Sequence, residues 1–472
     1  MKRALKHIAV AAGLLLLGGC ASFSPDAGFS DVQKMTSPRL GQDVSWDRGA
    51  GTAEPNAAVA KLLQSPLTTE VALQIALLNN RALQADYESL GIAEADLVQA
   101  GLLDNPDFSG EFLFGDGGAK YAFSLVQNIF SLLTQPARRT VASSAFERAK
   151  YEVGNKVLDV AAEVRAAYYA VLAAEQAAEL SRQVVSATEA AAELSQRQVQ
   201  AGNATARDQA LQQAQYAQAV LMLARVEVDV AQERERLNRL LGLWGDQVTW
   251  NLPDRLPDLS TDKPSIDGLE TLAIERRLDL AGARADVQTA SYALELGQQL
   301  RWLSFLGLGV ALERETDGKW LKGPAITVSL PVFDQGQARI ASLEAQRRRS
   351  ERALVGLAVD ARSQVREAWA RLSAAQDAAT FYRTTLLPLQ QRIVEENTRL
   401  YNGMLIGVYD LLRSRQDQID AGRAYIAALK DYWIARADLE KAIAGPLPGA
   451  SGVAARPVPV SAPAAPGDQH GH

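Results

Sequence analysis

The second half of this chain repeats the first at an offset of about 200 residues, so it must fold as two copies of one long unit. EVRAAYYAVLAA, Glu163 to Ala174, lies over QVREAWARLSAA, Gln364 to Ala375, pairing Val164 with Val365, Arg165 with Arg366, Ala167 with Ala368 and Tyr168 with Trp369 at offset 201. Asn80 to Leu83 matches Arg277 to Leu280, and Phe108-Ser109-Gly110 matches Phe305-Leu306-Gly307, both at 197. Phe130 meets Phe333 at 203, Arg138 meets Arg339 and Gly202 meets Gly403 at 201, and Asp208 meets Asp410 at 202. A period this long excludes a short-repeat solenoid.

Within each copy the hydrophobic period changes along the chain. From Thr68, with Thr68 or Thr69 as N-cap and Glu70 complementing the dipole, a helical pattern runs to about Leu103. Phe108, Gly110, Phe112 and Phe114 then alternate with more polar residues. After Gly115-Asp116-Gly117-Gly118 the alternation resumes through Tyr121, Phe123 and Leu125, so this stretch reads as a β-hairpin with an aromatic face. The second copy offers the matching pair, about Trp302 to Leu312 and Pro324 to Leu330, joined by the charged loop Glu313 to Lys322. Its first strand is apolar on both faces, which leaves its facing open. Strands of roughly 9 to 11 residues cross a bilayer when tilted. The smallest membrane barrels have about eight strands, so four strands in one chain require several chains to close one.

Long helices follow each hairpin. Val157, Val164, Val171, Ala178, Val185, Ala192 and Val199 recur every seven residues, with Val160, Ala167, Ala174, Ser181, Thr188 and Ser195 three positions on. Ala358, Val365, Leu372, Ala379, Leu386, Ile393 and Leu400 do the same in the second copy, where Pro388 predicts a kink or break. Sustained heptads of small residues mean close, left-handed coiled-coil packing. A helix from Pro136 to Gln200 is on the order of 100 Å long, whereas Thr68 to Leu103 and Ala206 to Leu241 are each about 54 Å, so two short helices end to end match one long one. The turns Ala201-Gly202-Asn203 and Asn402-Gly403-Met404 reverse the chain.

The N-terminus carries targeting chemistry. Lys2, Arg3 and Lys6 precede an apolar run, Ile8 to Leu17, too short to span a bilayer. Leu17-Gly18-Gly19-Cys20 resembles the bacterial lipobox, which implies a signal peptide over 1–19, an acylated Cys20 and, with Ala21 and Ser22 following, passage to the outer membrane. Cys20 is the only cysteine, so no internal disulfide forms. Three of the 49 basic residues lie in that leader, leaving 46 against 55 acids, a net charge of −9 that argues against nucleic acid. No other window has eighteen consecutive apolar residues.

Together the lipobox, the duplicated unit, the strand exits Val126 to Phe130 and Ser329 to Phe333, and the tip segments QAGNATARDQ and YNGMLIGVYDLL resemble the TolC-type outer-membrane efflux proteins, lipoprotein branch, over about residues 60–445. The resemblance implies a mainly α fold with a membrane β-barrel: a long coiled-coil helical tunnel, and four β-strands per chain completing a 12-stranded barrel in a homotrimer. The segments are then a signal peptide over 1–19, an acylated segment over 20–66, the first repeat over 67–245, a linker over 246–265, the second repeat over 266–445 and a disordered Pro/Ala-rich tail over 446–472.

Further implications concern sites and partners. Asp208 and Asp410 match acidic gate positions, where three chains would gather six carboxylates with raised pKa values. The same two positions also suit a first-turn acid or N-cap. Tyr401 matches a gate tyrosine and equally a seam aromatic, and Arg413 departs from the acid expected there. The tip turns, Gly202, Asn203, Gly403 and Met404, would dock a periplasmic adaptor that couples to an inner-membrane transporter of RND or ABC type. Phe108, Phe112, Phe114, Tyr121 and Phe123 would face outer-membrane lipid.

No enzyme is expected. The three histidines are His7, in the leader, and His470 and His472, in the tail, so none serves a buried triad or metal cage, and four methionines make no copper ladder. His470 and His472 offer only a weak metal site, and no cofactor is implied beyond lipid on Cys20. The alternative function is a lipid-anchored periplasmic coiled-coil scaffold without a pore.

Overall fold

The computed structural model describes residues 22–48, 53–115, 118–260, 265–301 and 306–448. Cys20, Asp116-Gly117 of the first hairpin turn, Trp302 to Phe305, and the tail with His470 and His472 lie outside the described residues. In chain order the elements are α1 (Phe29–Leu40), α2 (Ala53–Leu62), α3 (Thr69–Asn79), α4 (Arg81–Gly101), β1 (Asp107–Gly115), β2 (Gly118–Asn128), α5 (Ile129–Gln200) and α6 (Ala206–Leu241). They continue as α7 (Leu269–Arg276), α8 (Leu278–Gln299), β3 (Leu306–Arg314), β4 (Trp320–Val328), α9 (Gln337–Phe381), a π turn over Tyr382–Leu386, α10 (Leu387–Asn402) and α11 (Val408–Ala442). The series from α3 to α6 and the series from α7 to α11 are the two copies.

Duplication extends to the breaks. The single helix expected from Thr68 to Leu103 is two, interrupted at Asn80, whose ψ of 113° leaves the helical region. Arg277 interrupts the second copy at the same offset, with ψ of 127°. Both break residues cap a helix end from their own copy. Asn79 Nδ2 donates to Leu241 O (3.0 Å) and Gly242 O (2.8 Å), and Asn80 Nδ2 to Leu240 O at 2.8 Å, satisfying the last carbonyls of α6. Arg277 Nη1 reaches Ala442 O at 3.4 Å, the matching end of α11. Thr68 is the N-cap of α3, as the sequence predicts, its hydroxyl accepting from Val71 N.

One compact unit contains the sheet, and consists of residues up to Met35 with Ala85–Asn155 and Leu278–Val359. Its four strands lie in the order β1-β2-β3-β4, antiparallel throughout. The second hairpin differs from expectation: β3 runs on through Glu313 and Arg314, and β4 starts at Trp320, so the charged loop is shorter than Glu313 to Lys322. The segment expected over 20–66 carries helix α1. Helix α1 is fixed by tertiary contacts: Phe29 meets Tyr87 edge to face at 5.0 Å, Lys150 Nζ sits 2.9 Å from Asp31, and Ser24 N donates to Glu94. Burial works against the Lys150 charge, but Glu147 and Asp31 outweigh it and raise the pKa; Lys150 in turn lowers that of Asp31.

The other unit, Thr36–Gln84, Lys156–Arg277 and Asp360 onward, holds the largest apolar core. Val164, Val171 and Leu172 of α5 pack with Val365 and Leu372 of α9, Leu237 and Leu241 of α6, and Leu429 and Leu439 of α11. Residues 246–260, expected as linker, are part of this core. Trp250 and Leu256 are buried, Trp250 Nε1 donates to Asn238 Oδ1 at 2.8 Å, and the Arg234 guanidinium lies 4.0 Å over the Trp250 ring.

The long helices obey the heptads with two corrections. Helix α5 begins at Ile129, seven residues before Pro136, which lies in its second turn. Toward its C-terminus the buried line runs through Ser181, Val184, Thr188, Ala191 and Ser195, while Val185, Ala192 and Val199 are half-buried. One line of the seam thus lies one residue earlier than the strict seven-residue repeat places it. The buried hydroxyls bond their own helix, Ser181 to Ala177 O at 2.7 Å and Thr188 to Val184 O at 2.8 Å. In the second copy the π turn stands just before Pro388, and beyond it Val394 is buried while Ile393 is exposed. A π turn holds one residue more than an α turn. That residue moves the offset between copies from 201 to 202.

Gly242 ends α6 in the left-handed conformation, φ 67°, and a Cβ there would overlap the Asn79 carbonyl. Gly242→Ala is expected to destabilise this core by more than about 1 kcal/mol, read as a lower thermal midpoint of the Trp250 fluorescence; an unchanged midpoint would refute the capping account.

Candidate functional site

Each tip turn closes a long helix with the same hydrogen bonds. After α5, Gly202 N donates to Val199 O and Asn203 N to Gln198 O; after α10, Met404 N donates to Tyr401 O and Leu405 N to Leu400 O. This is the Schellman pattern, which places one residue in the left-handed region. In the first copy that residue is Gly202, φ 76°; in the second it is Met404, φ 57°. Gly403 has φ −82°, so it does not perform the turn. The counterpart of Gly202 is Met404, at offset 202, and the pairing of Gly202 with Gly403 was one residue out. Met404 is 93% exposed and Leu405 74%, so this tip presents apolar surface where the first copy presents Gly202, Asn203 and Ala204.

The two acids begin the returning helices. Thr205 caps α6 in a reciprocal box: Asp208 N donates to Thr205 Oγ1 at 3.2 Å, and Thr205 N to Asp208 Oδ2 at 3.3 Å. The Thr205 hydroxyl also donates to Asp208 Oδ2 at 2.7 Å. These bonds hold the Asp208 pKa below that of a free carboxyl, the opposite of the rise expected from a ring of carboxylates. Asp410 does half of the same work, accepting from Gly407 N at 3.3 Å. Within one chain, both acids therefore have the geometry of first-turn capping residues.

Tyr401 lies in the last turn of α10 and is exposed; Arg413, in α11, is exposed too. Among the described residues no hydrogen bond or ion pair joins Asp208, Tyr401, Asp410 and Arg413 to one another. The copies are joined near the tips by a pair that sequence reasoning missed: Tyr409 Oη donates to Gln198 Oε1 at 3.1 Å, linking the start of α11 to the end of α5. Tyr409 stands beside Asp410, but nothing local marks Gln198 as its acceptor.

The strand register fixes which residues share a face. Directly paired residues project to one side, so Phe108, Phe112 and Phe114 share a face with Tyr121, Phe123 and Leu125, and these with Leu308, Val310 and Leu312 and with Ile326 and Val328. Phe112 meets Tyr121 at 5.8 Å and Phe123 at 5.6 Å, and Phe108 stacks with Phe123 at 6.2 Å. The opposite face is mixed, with Ser109 and Ser124 hydrogen-bonded at 2.8 Å beside Gly307, Gly309, Ala311 and Thr327, and with Leu113, Val126 and Leu321 among them. Gly309 is required there, since a Cβ would overlap the Leu125 carbonyl. Among the described residues no strand pairs with the outer edges of β1 and β4. No described helix is long and apolar enough to cross a membrane, and no cluster of three His, Cys, Asp or Glu among the described residues is placed to hold a metal ion.

Residues 72–243, the first copy from α3 to just past α6, match the family described as outer membrane efflux protein. The match covers the first copy of the duplicated unit. The cobalt-zinc-cadmium resistance protein CzcC of Cupriavidus metallidurans is 23% identical over 386 residues, covering 80% of this chain and 90% of that protein. A membrane protein from Pseudomonas aeruginosa shares the fold with a TM-score of 0.68 at 19% identity, over 79% of this chain and 93% of that one. The Campylobacter jejuni CmeC outer membrane channel does so at 0.62 and 16%, over 91% and 93%, and the open state of the Neisseria gonorrhoeae MtrE outer membrane channel at 0.64 and 17%, over 80% and 89%. Efflux proteins of this family are transporters.

Two outcomes follow at the tips. A left-handed non-glycine residue costs about 1 kcal/mol, so Met404→Gly should slow amide exchange in its turn and Gly202→Ala should quicken it. Because the Asp208 pKa is lowered on folding, its contribution is full above the free-carboxyl value of 3.8 and is lost as pH falls below it. Exchange in the first turn of α6, corrected for intrinsic rates, should rise on acidification through that range. Asp208→Asn should abolish the dependence.

Proposed function

We propose that three copies of this chain form a passive export duct, anchored by lipid on Cys20. In this reading the three sheets close a 12-stranded barrel in the outer membrane of a Gram-negative cell, and the helices line a tunnel through the periplasm. The observation that carries it is the four-stranded sheet with an aromatic face and two open edges. Four strands are about half the smallest closed membrane barrel. A pore-free periplasmic scaffold would hold that face in water and has no use for it.

The duct does no chemistry of its own. An inner-membrane transporter of RND or ABC type chooses the cargo and supplies the energy, and a periplasmic adaptor docks on the tips, where Gly202, Asn203, Gly403, Met404 and Leu405 lie. At rest the tips are drawn together, with Asp208, Asp410, Tyr401 and Arg413 around the constriction and the Tyr409–Gln198 hydrogen bond holding the second-copy tip to the first. Adaptor binding breaks that bond and swings α10 and α11 outward, with Met404 rather than Gly403 as the turn residue.

In planar bilayers the purified protein should conduct weakly. Tyr409→Phe and the double substitution Asp208→Ala with Asp410→Ala should each raise single-channel conductance severalfold. Wild-type conductance in both would overturn the gate assignment.

A further inference from the structure

The duplication predicts contacts that a single chain cannot display. Copy one meets copy two inside the chain where α5 lies against α11. There Lys441 Nζ is 3.0 Å from Asp159, the Leu180 side chain stands 3.7 Å from the point a Cβ of Gly422 would occupy, and Arg423 Nη2 donates to Ser181 Oγ at 3.0 Å. A ring of three such chains holds six alternating copies, hence two kinds of seam: copy one to copy two within a chain, and copy two to copy one of the next. The second seam should repeat the first with α9 in place of α5 and α6 in place of α11.

Hydrogen-bond patterns fix the translation. Up to the π turn α5 maps onto α9 at offset 201, and α6 maps onto α11 at 202, since Gly242 N to Arg239 O and Leu243 N to Asn238 O recur as Ala444 N to Lys441 O and Gly445 N to Glu440 O. Asp159, Leu180 and Ser181 thus become Asp360, Phe381 and Tyr382, while Lys441, Gly422 and Arg423 become Arg239, Val220 and Leu221.

These three translated pairs are chemically sound, whereas the Arg165–Glu440 ion pair of the inner seam becomes Arg366 and Asn238, which are bonded to Glu270 and Trp250 within their own copies. The acid and base return with their signs in place. The leucine over a glycine becomes a phenylalanine beside a valine, and the polar pair becomes Tyr with Leu. In the single chain Phe381 (57%), Val220 (40%) and Leu221 (63%) are exposed, and Tyr382 is half-buried against the core. Asp360 and Arg239 are exposed as well and make no ion pair among the described residues.

We infer that the subunit seam joins Asp360 to the partner subunit's Arg239, Phe381 to the partner subunit's Val220, and Tyr382 to the partner subunit's Leu221. The inference rests on the trimeric reading above and adds to it a specific set of touching residues.

Cys20 is the only native cysteine, so paired cysteines report this seam directly. The full-length protein carrying Phe381→Cys and Val220→Cys, oxidised in membranes with copper phenanthroline, should run as a covalent trimer on denaturing, non-reducing gels. Either single variant should stay monomeric. Tyr382→Cys with Leu221→Cys supplies an independent pair if the first does not fold. Asp360→Lys should lower the temperature at which the extracted trimer dissociates, and adding Arg239→Asp should restore it. Light scattering separates the two ways to fail. A three-chain particle whose thiols react with maleimide but form no covalent oligomer overturns the seam and leaves the trimer standing. A monomeric particle overturns both.

Discussion

Everything in this molecule answers to the unpaired edges of one small sheet. In hydrocarbon each unsatisfied backbone N–H or C=O costs several kcal/mol, so an open sheet is not a stable membrane object. In the proposed duct the edges of β1 and β4, unpaired among the described residues, meet neighbouring chains, and the aromatic face meets lipid. The Gly309 contact with the Leu125 carbonyl shows how closely the second hairpin is pressed to the first.

The helical unit solves a different problem with the same duplicated parts. Short helices laid end to end expose polar ends at each junction, and a junction inside a core cannot leave carbonyls bare. The first copy meets this with two asparagines and a left-handed glycine, the second with Arg277 beside the left-handed Ala444. The solutions are chemically different and occupy the same places, which shows that the fold demands the cap and not the residue supplying it.

What could be read from the chain beforehand was whatever repeats with a fixed period. Helix α6 runs from Ala206 to Leu241 as its apolar pattern requires, and the first hairpin aligns Phe112 with Tyr121 as its alternation requires. The rest depends on distant partners. Helix α1 is held by Lys150 and Tyr87, over fifty residues away in sequence. Trp250 gave no sign of being core, because the arginine and asparagine that seat it belong to another helix. The tip bond escaped for the same reason: Tyr409 and Gln198 are 211 residues apart.

The π turn at Tyr382–Leu386 has a geometric meaning beyond bookkeeping of offsets. One extra residue in a regular α-helix turns everything after it by about 100° about the axis. Inserted upstream of the tip without compensation, it would swing the face carrying Tyr401 a quarter of the way round and carry Val394 out of the seam. The wide turn absorbs that rotation within five residues. The two arms of the duplicated unit thus stay in phase, although one has grown longer than the other.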